Sequence, residues 1–221
     1  MAARYANRTR DSNGKSLLGL RACLLTAKFC RVSLHFIKAM LRSPGSVGAL
    51  WPSSPFLAKA MVRASALEDA EHVLELGPGT GAFTGEILSS LRHEASFSAV
   101  EIDPELARQI SRKFPRAKVI AGCATKLGEH LATENVTPPD AILSGLPWTV
   151  FDESLQTSIL SQIHSVLRDG GVFSTFAYYG PHRLKGGQAF RRKLDKTFGS
   201  VKRSPVVLRN FPPAFVYTCR R

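Results

Sequence analysis

A chain of 221 residues with 44% hydrophobic and 21% charged side chains has enough apolar material for one packed core, which excludes a disordered or collagen-like polymer. Its four cysteines, Cys23, Cys30, Cys123 and Cys219, show no C-x-x-C spacing, which argues against a zinc ribbon or a disulfide scaffold and for a reducing compartment. Thirty Lys and Arg against 17 Asp and Glu leave a formal +13, and at this level nucleic acid and an anionic bilayer fit such a charge equally.

The charge is unevenly placed. Residues 1–42 carry nine bases and one acid (+8), residues 43–182 ten bases and fifteen acids (−5), and residues 183–221 eleven bases and one acid (+10). A mildly acidic body between two basic ends suits a globular enzyme with a polarised docking surface better than a nucleic-acid coat. Residues 1–14 are polar without an apolar period and are expected to be a disordered lead-in.

Residues 15–45 read as a basic amphipathic helix. Lys28, Arg31, His35, Lys38 and Arg42 recur at alternating spacings of 3 and 4, which stacks them on one stripe, while Leu25, Phe29, Val32, Phe36 and Met40 fill much of the remaining circumference. Arg21 and Lys28 enclose only six uncharged residues, whereas a membrane span needs about 20 apolar ones. Arg21 also interrupts any secretory apolar region. Residues 15–42 are therefore expected to lie in the interface of an anionic membrane, each base near the surface contributing about 1 kcal/mol. An organelle transit peptide, and a helix packed on its own domain with a solvated basic face, are the other readings of this pattern.

From residue 46 the text becomes that of a folded domain. Ser54 is placed to cap a helix that opens on Pro55 and continues through FLAKAMVRASAL. EHVLELGPGTGAFTGEIL, residues 71–88, gives a strand at 73–76, a turn through Gly77, Gly79 and Gly81, and a helix from about Phe83. Such a turn lets a ligand lie against main-chain N–H groups at a helix start. A second strand, FSAVEID, ends at Glu101, which can accept both hydroxyls of a ribose. There follow a helix (PELARQISRKF), a strand (AKVIAGC), a strand (DAILSGLP), a long helix ending at Gly170-Gly171, a strand (VFSTFAYY), a helix (AFRRKLDKTF) and a closing hairpin over 204–221. This alternation predicts an α/β fold: a doubly wound, mostly parallel sheet with helices on both faces, closed by an antiparallel strand. Ligands of such sheets bind beyond the strands' carboxyl ends, where Gly77–Gly81, Glu101, Cys123 and Ser144–Trp148 converge.

The run E-L-G-P-G-T-G, followed by V-E-I-D-P, resembles the class I S-adenosylmethionine-dependent methyltransferases. Within them the chain resembles the branch that holds ribosomal RNA adenine dimethylases and bacterial phospholipid N-methyltransferases, over residues 46–221. The resemblance implies a Rossmann-like sheet of about seven strands and S-adenosylmethionine as cofactor, with S-adenosylhomocysteine as product. By the same resemblance Glu75, Gly77, Gly79, Thr80, Gly81, Glu101, Ile102, Cys123, Ala124 and Ser144 are the cofactor-binding residues. Cys123 stands where the family usually has an Asp that accepts from the adenine amino group. Cysteine is a weak acceptor, so adenine recognition is expected from backbone near Ala124 and from apolar sandwiching.

Ser144-Gly-Leu-Pro-Trp148 occupies the place of the dimethylases' N-L-P-Y motif, with Gly145 where their base-holding Asn stands. SVGALWPSSPFLAKAM, SGLPW with Phe151, FAYYGP and RNFPPAFVY resemble the phospholipid enzymes instead. That similarity implies stepwise N-methylation of an aminophospholipid, phosphatidylethanolamine towards phosphatidylcholine, by a cytoplasmic enzyme peripheral on the inner face of the membrane. RNA adenine N6-methylation, with nucleic acid as the partner, and methylation of an ornithine-type aminolipid are the alternatives. The catalytic candidates are Tyr178, Tyr179, Ser144, Trp148 and His182. Tyrosine and tryptophan faces can surround a cation, a tyrosine hydroxyl can orient an amine, and Tyr179 is the candidate base; Trp148 reads equally well as a core aromatic. His182 and Arg183 are expected at the lipid phosphate, with Lys185 outside them. Arg191, Arg192 and Lys193 extend that patch or form a solvated helix face. No His, Cys or carboxylate set has ligand spacing, so no metal is expected.

Overall fold

The computed structural model describes residues 53–221. The lead-in 1–14, the arm 15–45 and the start of the domain block from residue 46 lie outside the described residues.

Helix α1 (Pro55–Ser65) begins as its sequence dictates, with the Ser54 hydroxyl accepting from the Leu57 N–H and Pro55 in the first turn. Strand β1 (His72–Leu76) leads through the glycine turn into α2 (Thr84–Ser90), and β2 (Ser96–Glu101) leads into α3 (Pro104–Lys113). The Asp103 side chain caps α3 by accepting from the N–H groups of Glu105 and Leu106. β3 (Ala117–Ala121), α4 (Leu127–Thr133), β4 (Ala141–Ser144), α5 (Glu153–Val166), β5 (Val172–Tyr178), α6 (Lys185–Thr197), β6 (Ser200–Arg203) and β7 (Ala214–Arg220) complete the chain. Short 3-10 turns at Ala124–Lys126, Trp148–Val150 and Pro181–Arg183 follow β3, β4 and β5.

The seven strands form one sheet in the order β3-β2-β1-β4-β5-β7-β6, all neighbours parallel except the two pairs made by β7. The doubly wound α/β expectation, including the antiparallel closure, is what the structure contains. Strand alternation sends Leu74, Leu76, Phe173, Phe215 and Tyr217 towards α4, α5 and α6, and Val73, Ala99, Leu143 and Val216 towards α1 and α2. The chain reverses its winding between β1 and β4, so the ends of those strands open the crevice in which such sheets bind ligands.

Three expectations are corrected. The hairpin's first strand is Ser200–Arg203 rather than the apolar Pro205–Leu208 run, which forms a loop touching the sheet through one Val207–Ala214 bridge. An outer strand has one neighbour and needs no apolar alternation, so polar SVKR suffices. Helix α6 starts at Lys185, ahead of its two glycines, because buried Gly187 lets the helix press against the His182 backbone. Helix α4, not expected from the sequence, has seven residues and no side-chain cap.

Candidate functional site

The site is built on the ends of β1, β2, β3, β4 and β5. After β1, Gly77, Gly79 and Gly81 take φ of +68°, +55° and +86°, a region in which only glycine is relaxed. The Gly77 N–H donates to Val100 O of β2 at 2.9 Å, and the Gly79 N–H donates to Glu101 Oε2 at 3.0 Å. Asp103 N–H donates to the other oxygen, Oε1, also at 3.0 Å. Each Glu101 oxygen keeps a lone pair, which leaves a bidentate acceptor for a vicinal diol. Burial raises the Glu101 pKa, and the N–H groups of Asp103, Gly79 and Ile102 oppose the rise. A Cβ at Gly79 would meet nothing within 4 Å, so the turn faces open space.

Glu75 lies directly behind the turn and is fully buried. Its Oε2 accepts from Thr84 Oγ1 at 2.7 Å, while Oε1 is buried without a partner among the described residues. Desolvation, with Glu101 nearby, pushes its pKa up to about 8. An unmatched buried carboxyl oxygen costs free energy until a donor or cation reaches it. Thr84, unmarked by any motif in the sequence, is therefore the neighbour that positions Glu75. At β3, Cys123 is nearly buried and its Sγ lies 3.2 Å from Thr125 Oγ1. Ile102 and Ala124 are half-buried and Thr80 is exposed on the turn. The cofactor residues expected from the sequence thus lie along one continuous edge.

The end of β4 is different from expectation. Ser144 is fully buried, and its Oγ accepts from Trp148 Nε1 at 3.2 Å and from Leu146 N–H at 3.3 Å. It shapes the 144–148 turn and is not presented as a reacting group. Trp148 is 2% exposed and stacks on Phe190 at 5.1 Å, with Phe173 and Phe151 edge-on. Its expected place beside a substrate cation is corrected: the ring is a pillar between the turn and α6. Gly145 donates to Leu76 O at 2.9 Å, and a Cβ there would fall 2.8 Å from Gly77 O. An Asn at this position would force the two strand ends to shift.

Beyond β5, Tyr178 packs edge-on against Phe176 on the α1 side, and burial lifts its pKa to about 12, which removes it as a base near neutral pH. Tyr179 is exposed, with the Arg183 guanidinium 5.5 Å over its ring and the His182 ring 5.2 Å away. His182 Nδ1 accepts from the Gly180 N–H at 3.1 Å. Partial desolvation, then Arg203 and Arg183, lower its pKa, which favours the neutral ring. His182 and Arg183 line a pocket of about 510 Å³ together with Arg191, Arg192, Arg203 and Tyr217, and no acidic side chain lines it. Arg191 is engaged by Asp195 through two bonds of 2.9 and 2.8 Å. Arg183, Arg192 and Arg203 leave the pocket strongly positive, a setting that holds an anion. Arg203 was not found from the sequence, because its place depends on the β6–β7 register that pairs it with Tyr217. Lys185 is exposed, and Lys193 turns away to Gln156 Oε1 at 3.0 Å. Among the described residues no group of three His, Cys, Asp or Glu is placed to hold a metal ion.

A glycine turn over a carboxylate diol acceptor, at the switch point of a 3-2-1-4-5-7-6 sheet, is the architecture of a nucleoside-cofactor transferase. The family described as "Methyltransferase domain" matches residues 73–171, and the chain belongs to the S-adenosylmethionine-dependent methyltransferases. It is 31% identical over 189 residues to an ornithine lipid N-methyltransferase of Singulisphaera acidiphila, covering 84% of this chain and 94% of that relative. It is also 30% identical over 106 residues to the ribosomal RNA small subunit methyltransferase A of a Synechococcus species, covering 47% of this chain and 37% of the relative. Its fold is that of the N-methyltransferase NodS from Bradyrhizobium japonicum in complex with S-adenosylhomocysteine, at TM-score 0.61 and 12% identity over 83% of this chain and 97% of that one. An O-methyltransferase from Bacillus cereus aligns at TM-score 0.60 and 15% identity over 88% and 91%.

The residues present fit this cofactor. The orphaned Glu75 oxygen suits its ammonium, the unfilled lone pairs of Glu101 suit its ribose, and the open space before Gly79 admits its body. Bound there, the cofactor supplies a methyl group activated on a sulfonium.

Proposed function

We propose that the chain methylates the primary amine of an aminolipid headgroup at a membrane surface, with ornithine lipid ahead of phosphatidylethanolamine as substrate. The observation that carries this reading is the similarity to a relative named ornithine lipid N-methyltransferase over 94% of its length. The arginine pocket beside Tyr179 agrees with it, because an aminolipid headgroup of either kind joins an amine to an anion, a carboxylate or a phosphate.

The chain has three tasks in this reaction. It buries the cofactor side of the crevice, it orients the amine in line with the methyl group, and it keeps the amine unprotonated. Arg183, Arg192 and Arg203 serve the last two: they hold the anion, and like charge disfavours the ammonium form. The His182 lone pair is already engaged by Gly180, Tyr178 does not ionise near neutral pH, and the Tyr179 hydroxyl, the candidate base, accepts from the Arg183 guanidinium at 3.4 Å, so solvent takes the proton. Held in this way, the amine would be placed to receive the methyl group that the cofactor, held by Glu75, Glu101 and the glycine turn, would supply.

Residues 15–42 are proposed to hold the enzyme peripherally on the inner, cytoplasmic face of an anionic membrane. Among the described residues no helix is long and apolar enough to cross a membrane. Nucleic-acid methylation is the weaker reading, because Gly145 leaves no room for a base-holding side chain. The test is transfer of label from S-adenosylmethionine to vesicles containing ornithine lipid or phosphatidylethanolamine, with total RNA offered beside them. Label in lipid is expected; label in RNA alone would overturn the reading.

A further inference from the structure

The six large apolar side chains most exposed among the described residues are Phe56, Val150, Tyr179, Leu184, Leu208 and Phe211. All six belong to the carboxyl edge of the parallel strands. Val150 follows β4, Tyr179 and Leu184 follow β5, and Leu208 and Phe211 sit on the 204–213 loop beyond β6. Phe56 joins them because the Ser54 N–H donates to Asn210 Oδ1 at 2.9 Å, which pins the start of α1 to that loop. Scattered apolar residues on a surface need no explanation, but their confinement to one edge does.

The loop that carries the two most exposed of them is firmly built. Val207 and Ala214 bridge it, buried Asn210 donates to Pro212 O at 2.7 Å, and the Tyr179 N–H donates to Pro213 O at 2.7 Å. Leu208 at 77% and Phe211 at 72% exposure are thus presented outward by a fixed scaffold directly beside the catalytic edge. Behind them runs a groove of about 770 Å³ between α1 and the β6–β7 loop. Lys59, Arg63, Lys202, Arg209 and Arg220 line it, and no acidic side chain does.

We infer that this edge is a lipid-docking face of the folded domain. Leu208 and Phe211 enter the headgroup region of an anionic bilayer, and Arg209 and Lys59, at the groove's near end, meet its phosphates. Protruding apolar tips with Arg209 and Lys59 beside them match a surface that is apolar below and anionic above; a polyanion such as RNA would match the cations and leave the tips in water. The inference draws its choice of partner from the proposed lipid substrate, and it adds an orientation: the crevice faces the bilayer.

The test uses the full chain without cofactor, so that binding is read apart from methyl transfer. Leu208→Trp is titrated with vesicles of phosphatidylcholine, with and without phosphatidylglycerol, and its emission is read as a difference from the parent protein. A blue shift on the anionic vesicles is expected, with partitioning of Leu208→Asp/Phe211→Asp falling at least tenfold. Methyl transfer to a detergent-dispersed aminolipid should stay at the parent rate in that double variant. If the Leu208→Trp chain sediments with vesicles while its difference emission does not move, docking is by the 15–42 arm alone, which overturns the inference. A shift with RNA and none with vesicles also overturns it. A protein that docks as described but methylates no lipid would refute the proposed activity and leave the docking face standing.

Discussion

A carboxyl group sealed between a strand and a helix has to be neutral or matched, and Glu75 is neither fully matched nor exposed. Its pKa near 8 lies above the ordinary value of 4.5, so its contribution to stability is complete below 4.5 and is lost as pH rises to about 8. Glu75→Gln should therefore stabilise the cofactor-free protein by an amount that grows across that window to a few kcal/mol. Thermal melts at several pH values would show the parent falling more steeply than the variant across this window. The same residue predicts that S-adenosylmethionine binding near pH 7 releases a proton, as the cofactor's ammonium draws Glu75 into its charged form. Calorimetry in two buffers of different ionisation enthalpy reads this directly, and identical heats would refute it. Glu101→Gln removes charge from an acceptor bonded to Gly79 and Asp103. Hydrogen bonds to charged groups contribute about 1.5–3 kcal/mol, so cofactor affinity should fall about tenfold to a hundredfold at unchanged fold.

At the scale of elements, the turn after β4 decides which substrates the site admits. Gly145 lies against the Gly77 carbonyl, so Gly145→Asn has to push two strand ends apart. Overpacking of this kind costs about 1–3 kcal/mol; we expect a lowered melting temperature, weaker cofactor binding and no gain of RNA methylation. This turn also shows what was legible in advance. Gly145, the glycine turn, Glu101 and the cap at Ser54 are local signals, each set by a few neighbouring residues, and the sequence displays them. Trp148 was ambiguous because its burial depends on Phe190, which arrives much later in the chain. Arg203 was invisible because only the β6–β7 register brings it to His182. The apolar Val206-Val207-Leu208 run suggested a strand, yet the chain uses it as a loop whose tip is exposed. Local chemistry was readable, while whatever required two distant segments to meet was not.

Across the whole molecule, the +8 and +10 ends flank a −5 body, and among the described residues bases gather in two acid-free hollows on either side of β6 and β7. Arg203→Gln should raise KM for an anion-bearing aminolipid several-fold while leaving cofactor affinity at the parent value. Removing residues 1–42 should sharply reduce sedimentation with anionic vesicles, and added salt should weaken what remains. Binding of the shortened chain at the parent level would refute the role proposed for the arm. The position of β6 has a separate bearing on how the protein behaves in concentrated solution. Among the described residues it is the last strand of the sheet, and its backbone is a template on which a second copy could stack. Four residues, two of them Lys202 and Arg203, make it a short and self-repelling template. Substituting both with Val should therefore turn a dispersed protein into one that aggregates on concentration, a change that light scattering would register.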